Sequence, residues 1–314
     1  MRWRVFVDTK LAKYILKRLI LAIVTIFLII TITFFSMHAI PGGPFLSEKS
    51  PSAEVTAALE AKYGLDKPLG EQFVEYLKGV MRFDFGPSIK QRGRMVSDII
   101  KEGFKVSMKI GAVAAAIAIT IGLVFGSLAA VFHNKFLDKL IMVLSTAFVA
   151  MPSFIVATFM LLVFCVELNL LPANGDTVGG LVLPVIALSL YPMSYITRLT
   201  RSSMLDVLGQ DYIRTARAKG LKPSKIIFKH ALRNAVTPVI TYSGPMLAYI
   251  LTGSLVVEKI FAVPGLGKYF VSSITNRDYT LIMGTTIFLA TLIVILMLVS
   301  DILYKIFDPR VDLS

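Results

Sequence analysis

Charged residues are scarce in this sequence of 314 amino acids. Asp, Glu, Lys and Arg together make up 17% of the chain, whereas 55% of the residues are hydrophobic. A water-soluble domain usually carries about 25% charged residues. The mean hydropathy of +0.73 points the same way. The composition therefore excludes an ordinary soluble protein and predicts an integral membrane protein with one membrane domain.

Cysteine and histidine are rare as well. The only cysteine, Cys165, lies in an apolar run, and the histidines His38, His133 and His230 are scattered, so we expect no disulfide framework and no metal site. No Ser/His/Asp set or carboxylate pair suggests catalysis, and we expect neither catalytic residues nor enzyme activity. The run PGLGKYF at 264–270 resembles a phosphate-binding loop only superficially. Ala262 stands where such a loop needs its first Gly, and Tyr269 stands where Ser or Thr would bind magnesium.

Six apolar segments approach the roughly 20 residues that a helix needs to cross a bilayer. The predicted spans are Leu19–Ile40, Ile110–Phe132, Leu140–Val166, Val178–Leu199, Val236–Val257 and Leu281–Ser300. The first has too long an apolar core for a signal peptide and lacks a cleavage site. Ionisable side chains are nearly absent from the middle of the spans, which argues against transport coupled to protons or sodium.

The distribution of Lys and Arg predicts the orientation. Six of them precede the first span and nine lie between Arg198 and Asn234, while the loop between spans three and four has none. By the positive-inside rule, both termini and the loop 200–235 face the cytoplasm. Residues 41–103 then form a small module outside, in which SPSAEVTAALEAKYGL and EQFVEYLKGVMRF predict two short helices.

The stretch DYIRTARAKGLKPSKIIFKHALRN, residues 211–234, concentrates charge between two apolar runs. Its signals predict a helix that stops at Gly220 and a second helix that starts at Pro223. Ala216, Ala218 and Gly220 make the corner small enough for another backbone to approach. A loop that served only the charge asymmetry would need none of these features, so we interpret the stretch as a docking element.

This stretch resembles the cytoplasmic "EAA" loop of ABC-transporter permease subunits, with Arg214, Thr215 and Ala216 in place of the triplet. The wider run DYIRTARAKGL…HALRNAVTP is similar to that of peptide/nickel importers, in particular their first, "B-type", permease subunit. The segments LKRLILAIVTIFLIITITFF, YGLDKPLGEQFVEYLKGV, VVEKIFAVPGLGKYF, RDYTLIMG and DPRVDL fit in the same order. Arg214 departs from the acidic residue of the triplet, and MRFDFGPSI lacks the usual Gly before its Asp.

The resemblance implies an all-α membrane protein with six transmembrane helices in the type I ABC importer permease fold. Its parts would be an N-terminal arm and first helix at 1–40, an extracytoplasmic module at 41–103, and a five-helix core at 104–314 with the coupling loop 200–235. It implies a multi-pass protein of a bacterial or archaeal cytoplasmic membrane. The implied partners are a homologous second permease subunit, two cytoplasmic ABC ATPase subunits and an extracytoplasmic substrate-binding protein, with membrane lipid around them and no nucleic acid.

The resemblance also implies what the chain does. It would form a translocation path for peptides, while nickel chelates, glutathione and oligosaccharides remain alternative cargoes. ATP and magnesium would bind in the ATPase subunits, so no cofactor is expected in this chain. A secondary transporter or channel without ATPases is the rival class, and a membrane-anchored nucleic-acid binder would rest on the basic loop alone.

Two sets of site residues follow. In the family the charged loop is a coupling helix that docks in an ATPase groove, and the residues expected there are Asp211, Tyr212, Arg214, Thr215, Ala216, Arg217, Ala218, Lys219, Gly220, Leu221 and Pro223. Span five and the turn after it are a candidate gate and part of the path. A docked binding protein could press on the turn at the outer end of this span. The residues of the candidate gate and path are Thr237, Thr241, Tyr242, Met246, Glu258, Pro264, Gly265 and Gly267. Packing without any gating role is an equally open interpretation.

Two patterns leave alternatives open. Gly122 and Gly126 form a GxxxG pair that suits either packing within the chain or contact with another subunit. Prolines interrupt spans three to five and act either as hinges beside a path or as ordinary tolerated residues. These prolines are Pro152, Pro184, Pro192, Pro238 and Pro245.

Overall fold

The computed structural model describes residues 9–41, 43–45 and 52–307, which are almost entirely helical. The helices are α1 (Thr9–Ala39), α2 (Ala53–Tyr63), α3 (Leu69–Met81), α4 (Val96–Val131), α5 (Phe136–Ala150), α6 (Ser153–Met160), α7 (Val182–Leu208), α8 (Asp211–Ala218), α9 (Pro223–Lys225), α10 (Arg233–Ala235), α11 (Thr237–Ile260), α12 (Leu266–Asn276) and α13 (Tyr279–Phe307). π-Helical segments at Leu161–Glu167 and Ile226–Leu232 extend α6 and α9. The closing DPRVDL lies outside the described residues.

Four helical segments of the described chain are long and apolar enough to cross a membrane. They are Lys13–Ala39, Val96–Val131, Gly179–Leu208 and Tyr279–Ile302. The number becomes six if each of two bent pairs is one span: α5 with the extended α6, bent by 104°, and the two parts of α11, bent by 40°. The six predicted segments are thus all helical, but the third and fifth are not straight.

The predicted hinges have three different outcomes. Pro152 lies at the 104° bend, where the backbone is extended between α5 and α6. Pro184 and Pro238 lie in the first turns of α7 and α11, where a missing N–H loses no helical hydrogen bond. Pro192 lies inside α7, and Pro245 lies inside the first part of α11, Thr237–Leu251, before the bend. Only Pro152 therefore coincides with a sharp bend in the described chain.

The chain divides into two compact units. The first comprises Met1–Val106 and Pro264–Leu298, and the second comprises Ser107–Val263 and Val299–Ser314. In the first unit, the two short helices predicted after span one are present as α2 and α3. Ser52 caps α2, and α3 packs on α1 through Phe73, whose ring centroid lies 5.3 Å from that of Phe34.

A buried carboxylate fastens the start of α13 within the same unit. Asp278 is 1% exposed and accepts hydrogen bonds from the hydroxyl groups of Ser88 and Thr280. It also accepts from the backbone N–H groups of Ile89 (3.2 Å), Lys90 (3.3 Å) and Leu281 (3.2 Å). These bonds satisfy the ion and tie the loop before α4 to the first turn of α13.

In the second unit, α4 and α7 approach closely at the GxxxG pair. A Cβ atom on Gly126 would lie 2.5 Å from the Cβ of Thr200 and 2.6 Å from the backbone oxygen of Thr197. A Cβ atom on Gly122 would lie 2.7 Å from Ile196. The pair therefore packs within the chain, the first of the two alternatives, because only glycine leaves room for the facing helix.

Candidate coupling surface and transport path

The charged stretch is a folded corner. Helix α8 covers Asp211–Ala218, and its inward face is formed by Ile213 and Ala216, which are 0% and 7% exposed. These side chains cluster with the buried Ile226, and Leu208 and Leu221 pack against the cluster. The corner thus has a small apolar core of its own, and Ala216 belongs to that core rather than to the outer surface.

Two residues set the corner as the sequence predicts. Gly220 has φ +72°, in the left-handed region that side chains disfavour, and a Cβ atom built on it would meet nothing within 4 Å. Glycine is therefore required here by the backbone conformation and not by crowding. Pro223 opens α9 at its first turn, and the π-helical segment continues towards α11.

The outward face of α8 carries the groups that remain available to a partner. Asp211, Arg214, Thr215 and Ala218 recur three or four residues apart, and all are exposed. Arg214 lies 3.3 Å from the Asp211 carboxylate, an exposed contact that adds little stability. The other predicted coupling residues that are exposed are Tyr212, Arg217, Lys219, Gly220 and Pro223. Ala218 and Gly220 are therefore the small exposed residues over which another backbone could pass.

The corner rests on the ends of α4 and α7. Ala130, Met204, Ala231 and Ala235 form a buried cluster there. In addition, the Asn234 amide donates to the Tyr212 hydroxyl at 2.9 Å, which joins α8 to the segment leading into α11. A force applied to α8 would consequently reach α7 through packed contacts and α11 through α10, which directly precedes it.

Three of the predicted path residues line one groove. This open groove of about 480 Å³ lies between α7 and α11. Its lining residues are Tyr195, Leu199, Thr237, Pro238, Thr241, Tyr242 and Pro245. The sequence analysis did not include Tyr195 and Leu199, although the four-residue spacing of Tyr191 and Tyr195 in span four was a visible signal of a shared helix face.

The other predicted gate residues are buried, except for the half-buried Pro264. Met246 is 1% exposed, and Glu258 is 0% exposed, with its carboxylate accepting from the Ser254 hydroxyl at 2.6 Å. Direct contact between Glu258 and a docked protein is thus excluded in this conformation, because the side chain points into the chain. Gly265 and Gly267 are buried too, and Pro264 is half-buried. The predicted tight turn is instead the start of helix α12, for which Gly265 is the N-cap.

Ligand chemistry is limited in the part of the chain that the structure describes. There, no three His, Cys, Asp or Glu side chains come together in an arrangement suited to a metal ion. The groove between α7 and α11 offers hydroxyl groups and aromatic rings, which can hold a passing molecule by hydrogen bonds and stacking.

The chain combines a groove between two spans, lined by tyrosine, threonine and apolar side chains, with a prefolded basic corner between the same two spans. This layout suits a membrane permease. The chain is a member of the family described as binding-protein-dependent transport system inner membrane components. That family's model matches residues 122–313, and a model of the N-terminal part of such membrane components matches residues 11–121. The resemblance found in the sequence is confirmed.

Curated relatives cover nearly the whole chain. The dipeptide transport system permease protein DppB of Bacillus subtilis is 50% identical over 96% of this chain and 99% of its own length. The oligopeptide transport system permease protein OppB of Haemophilus influenzae is 45% identical over 95% of this chain and 99% of its own. The OppB protein of Salmonella typhimurium is 43% identical over the same shares.

Solved structures share the fold. A chain of the inward-facing MetNI methionine ABC transporter superposes with a TM-score of 0.55 at 18% identity, over 67% of this chain and 96% of that chain. A chain of an amino acid ABC transporter gives 0.51 at 16% identity, over 68% and 95%. The fold is therefore that of the type I ABC importer permeases.

Proposed function

We propose that this chain forms one half of a peptide importer's translocation path. The observation that carries the proposal is the 50% and 45% identity, over at least 95% of the chain, to permease subunits of a dipeptide and an oligopeptide system. The chain performs no bond chemistry. It lets peptides pass when the complex switches between inward-facing and outward-facing states.

The partners follow from the same reasoning. A homologous second permease subunit completes the path, a substrate-binding protein delivers the peptide from outside, and two cytoplasmic ABC ATPases supply the energy and hold the ATP and magnesium. The outward face of α8 supports the ATPase contact, since it offers the small Ala218 beside the exposed Arg214. The corner is packed on the end of α7 and leads through α10 into α11, so ATPase closure can move both helices that border the groove.

The charge distribution supports the orientation of the proposal. Nine basic residues lie between Arg198 and Asn234, whereas the loop between the third and fourth spans has none. The positive-inside rule places the corner at the cytoplasmic surface, where soluble ATPases can reach it. Residues 41–103 then form an extracytoplasmic module within reach of a binding protein.

Peptide import is tested in proteoliposomes that contain the complex of this chain with its partner subunits. Uptake of tritiated dialanine and trialanine should require both ATP inside and the binding protein outside. Unlabelled nickel–histidine, glutathione or maltotriose should not compete with the peptides. If neither peptide is taken up, the proposal is wrong. Uptake without ATP would favour a secondary transporter or channel.

The coupling surface is tested separately by substitution of Ala218. Ala218→Trp places a bulky ring on the outward face of α8 without disturbing the core formed by Ile213 and Ala216. We expect at least about a tenfold loss of ATPase-subunit binding, as for a clash at the centre of an interface. Ala57→Trp, on an exposed position of α2, is the matched control and should bind normally. Normal binding by both variants would remove α8 from the interface.

A further inference from the structure

Four tyrosines share one surface of the second unit. Tyr191 and Tyr195 lie four residues apart on α7, and Tyr242 and Tyr249 lie seven residues apart on α11, so each pair shares a helix face. The rings of Tyr195 and Tyr242 have centroids 4.3 Å apart, and those of Tyr191 and Tyr249 lie 5.5 Å apart. The ring planes are inclined by 32° in the first pair and by 42° in the second. The four rings thus form two tilted pairs between the helices, which we call the tyrosine ladder, and the pair of Tyr195 and Tyr242 lines the groove.

The ladder lies at an unusual depth. Tyr191 and Tyr195 are near the middle of the span Gly179–Leu208, and Tyr249 is near the middle of α11. Tyrosine in membrane proteins is enriched at the two interfaces, where its hydroxyl reaches water. A hydroxyl group that faces lipid tails without a partner loses the hydrogen bonds that it makes in water, which is unfavourable. A lipid-facing surface would therefore not carry four of them.

The hydroxyl groups are open to a ligand. Tyr195 and Tyr249 are 39% and 43% exposed, and Tyr191 and Tyr242 are half-buried. None of the four hydroxyl groups has a hydrogen-bond partner among the described residues. The ladder thus gathers unused donors and acceptors at one place.

We propose that the tyrosine ladder is a contact site for the backbone of the transported peptide. This inference rests on the proposed function and adds the site in this chain that holds the cargo. Phenol hydroxyl groups can both donate to peptide carbonyl groups and accept from peptide N–H groups, and flat rings stack on peptide planes. Neither contact depends on the side chains of the cargo. The site therefore suits peptides of mixed sequence. No charged residue lines the groove at Tyr195 and Tyr242, which avoids a preference for acidic or basic cargo there.

Photo-crosslinking identifies what the ladder touches. Tyr195 and Tyr249 are replaced one at a time by p-benzoylphenylalanine in the complete complex, reconstituted with ATP, binding protein and tritiated trialanine. The control is the same replacement of Phe159, an aromatic residue of α6 that is 63% exposed. We expect label on this chain after illumination for both ladder positions and none for Phe159.

The outcomes separate this inference from the proposed function. If the unmodified complex imports trialanine while the ladder positions cross-link only to lipid or to the second permease subunit, the ladder is not a peptide site but peptide import stands. If the unmodified complex imports no peptide, the proposed function fails and the inference fails with it. Labelled peptide at the ladder positions together with import supports both.

A conservative variant covers the case in which the bulky probe disturbs folding. Tyr195→Phe/Tyr242→Phe keeps both rings and removes only the hydroxyl groups. We expect uptake of trialanine below saturation to fall by about 3- to 10-fold, the range for losing one to two hydrogen bonds. The amount of assembled complex should stay unchanged. The matched control is Tyr63→Phe, at a residue of α2 distant in sequence, and it should transport normally. Unchanged uptake by the double variant would overturn the inference.

Discussion

Arg201 donates hydrogen bonds to both carboxylate oxygens of Asp138. The distance from Nε to Oδ1 is 2.6 Å, and the distance from Nη2 to Oδ2 is 2.8 Å. The backbone N–H of Asn134 donates to Oδ2 as well, at 2.8 Å, and Asp138 is only 2% exposed. The pair fastens the turn between α4 and α5 to α7. Its two parallel bonds have the geometry that makes an Arg–carboxylate contact strong.

Arg201→Met should destabilise the protein strongly. The change leaves a buried carboxylate without its cation, and breaking a buried pair in this way costs about 3–5 kcal/mol. Thermal unfolding in detergent measures the loss. The double variant Asp138→Leu/Arg201→Met should lose less than Arg201→Met alone, since no orphan charge remains. A double variant that is less stable than the single one would contradict this account of the pair.

Gly126→Ala should reduce the amount of folded protein. The added methyl group would meet Thr200 and the backbone oxygen of Thr197, and a helix backbone cannot yield as a side-chain end can. Overpacking of this kind costs about 1–3 kcal/mol. The control is Gly70→Ala in α3, where the same methyl group meets nothing within 4 Å. Size-exclusion yield after identical expression compares the two, and equal yields would argue against the close approach of α4 and α7.

Substitutions at Gly220 should rank by their tolerance of positive φ. A non-glycine residue in the left-handed region costs about 1–2 kcal/mol, less for Asn and more for β-branched residues. Gly220→Asn should therefore retain ATPase-subunit binding better than Gly220→Val does. Nothing in the described chain crowds the Cβ position, so steric contact within the chain does not separate the two variants. If a clash with the docked partner were the cause, Asn and Val, which are similar in size, would weaken binding alike. A pull-down with the ATPase subunits distinguishes the two patterns.

Asp278→Ala should loosen the loop before α4. Removing the carboxylate leaves buried donors, among them the backbone N–H of Leu281 and the Ser88 hydroxyl, without an acceptor. Each orphaned donor costs about 1–3 kcal/mol. Hydrogen exchange in residues 86–91 should become faster. Glu71→Ala, at an exposed position of α3, is the control, and equal exchange in both variants would argue against the anchoring role of Asp278.

Single cysteines test the orientation. With Cys165 replaced by alanine, a cysteine at Ser52 or Thr177 should react with an impermeant thiol reagent added to intact cells. A cysteine at Ser224 should react only after permeabilisation. All three positions are exposed, so a lack of labelling cannot be ascribed to burial. Labelling of Ser224→Cys in intact cells would reverse the topology.

Much of the fold can be predicted from the sequence because two strong signals are local. Apolar runs mark the spans, and the capping residues Ser52, Gly220 and Pro223 mark helix ends at which the structure indeed places them. Hydropathy marks the apolar part of α4 but not the turns that precede it. That helix begins at Val96, well before the predicted Ile110, because Lys101 and Lys105 suit a helix but not the hydrocarbon layer.

Two features, helix α12 and the burial of Ala216, depend on tertiary contacts and could not be predicted from the sequence. Helix α12 was missed because two glycines near its start indicated a turn, and burial of Leu266 and Gly267 within the first unit overrides that preference. Ala216 was expected on the docking surface, yet Ile213 and Ile226 enclose it. Small size suits close packing with a partner and close packing within the chain equally well, and only the fold decides between them.

The apolar core under the corner changes the thermodynamics of assembly. A segment that must fold on its partner pays for the ordering of its backbone and side chains when it binds. Here Ile213, Ala216 and Ile226 already hold α8 in place, and Gly220 has already adopted its unusual conformation. The proposed docking of an ATPase at this corner should therefore bury only the contact surface itself, with a correspondingly small heat-capacity change. Successive rounds of docking and release would not have to melt and refold the corner.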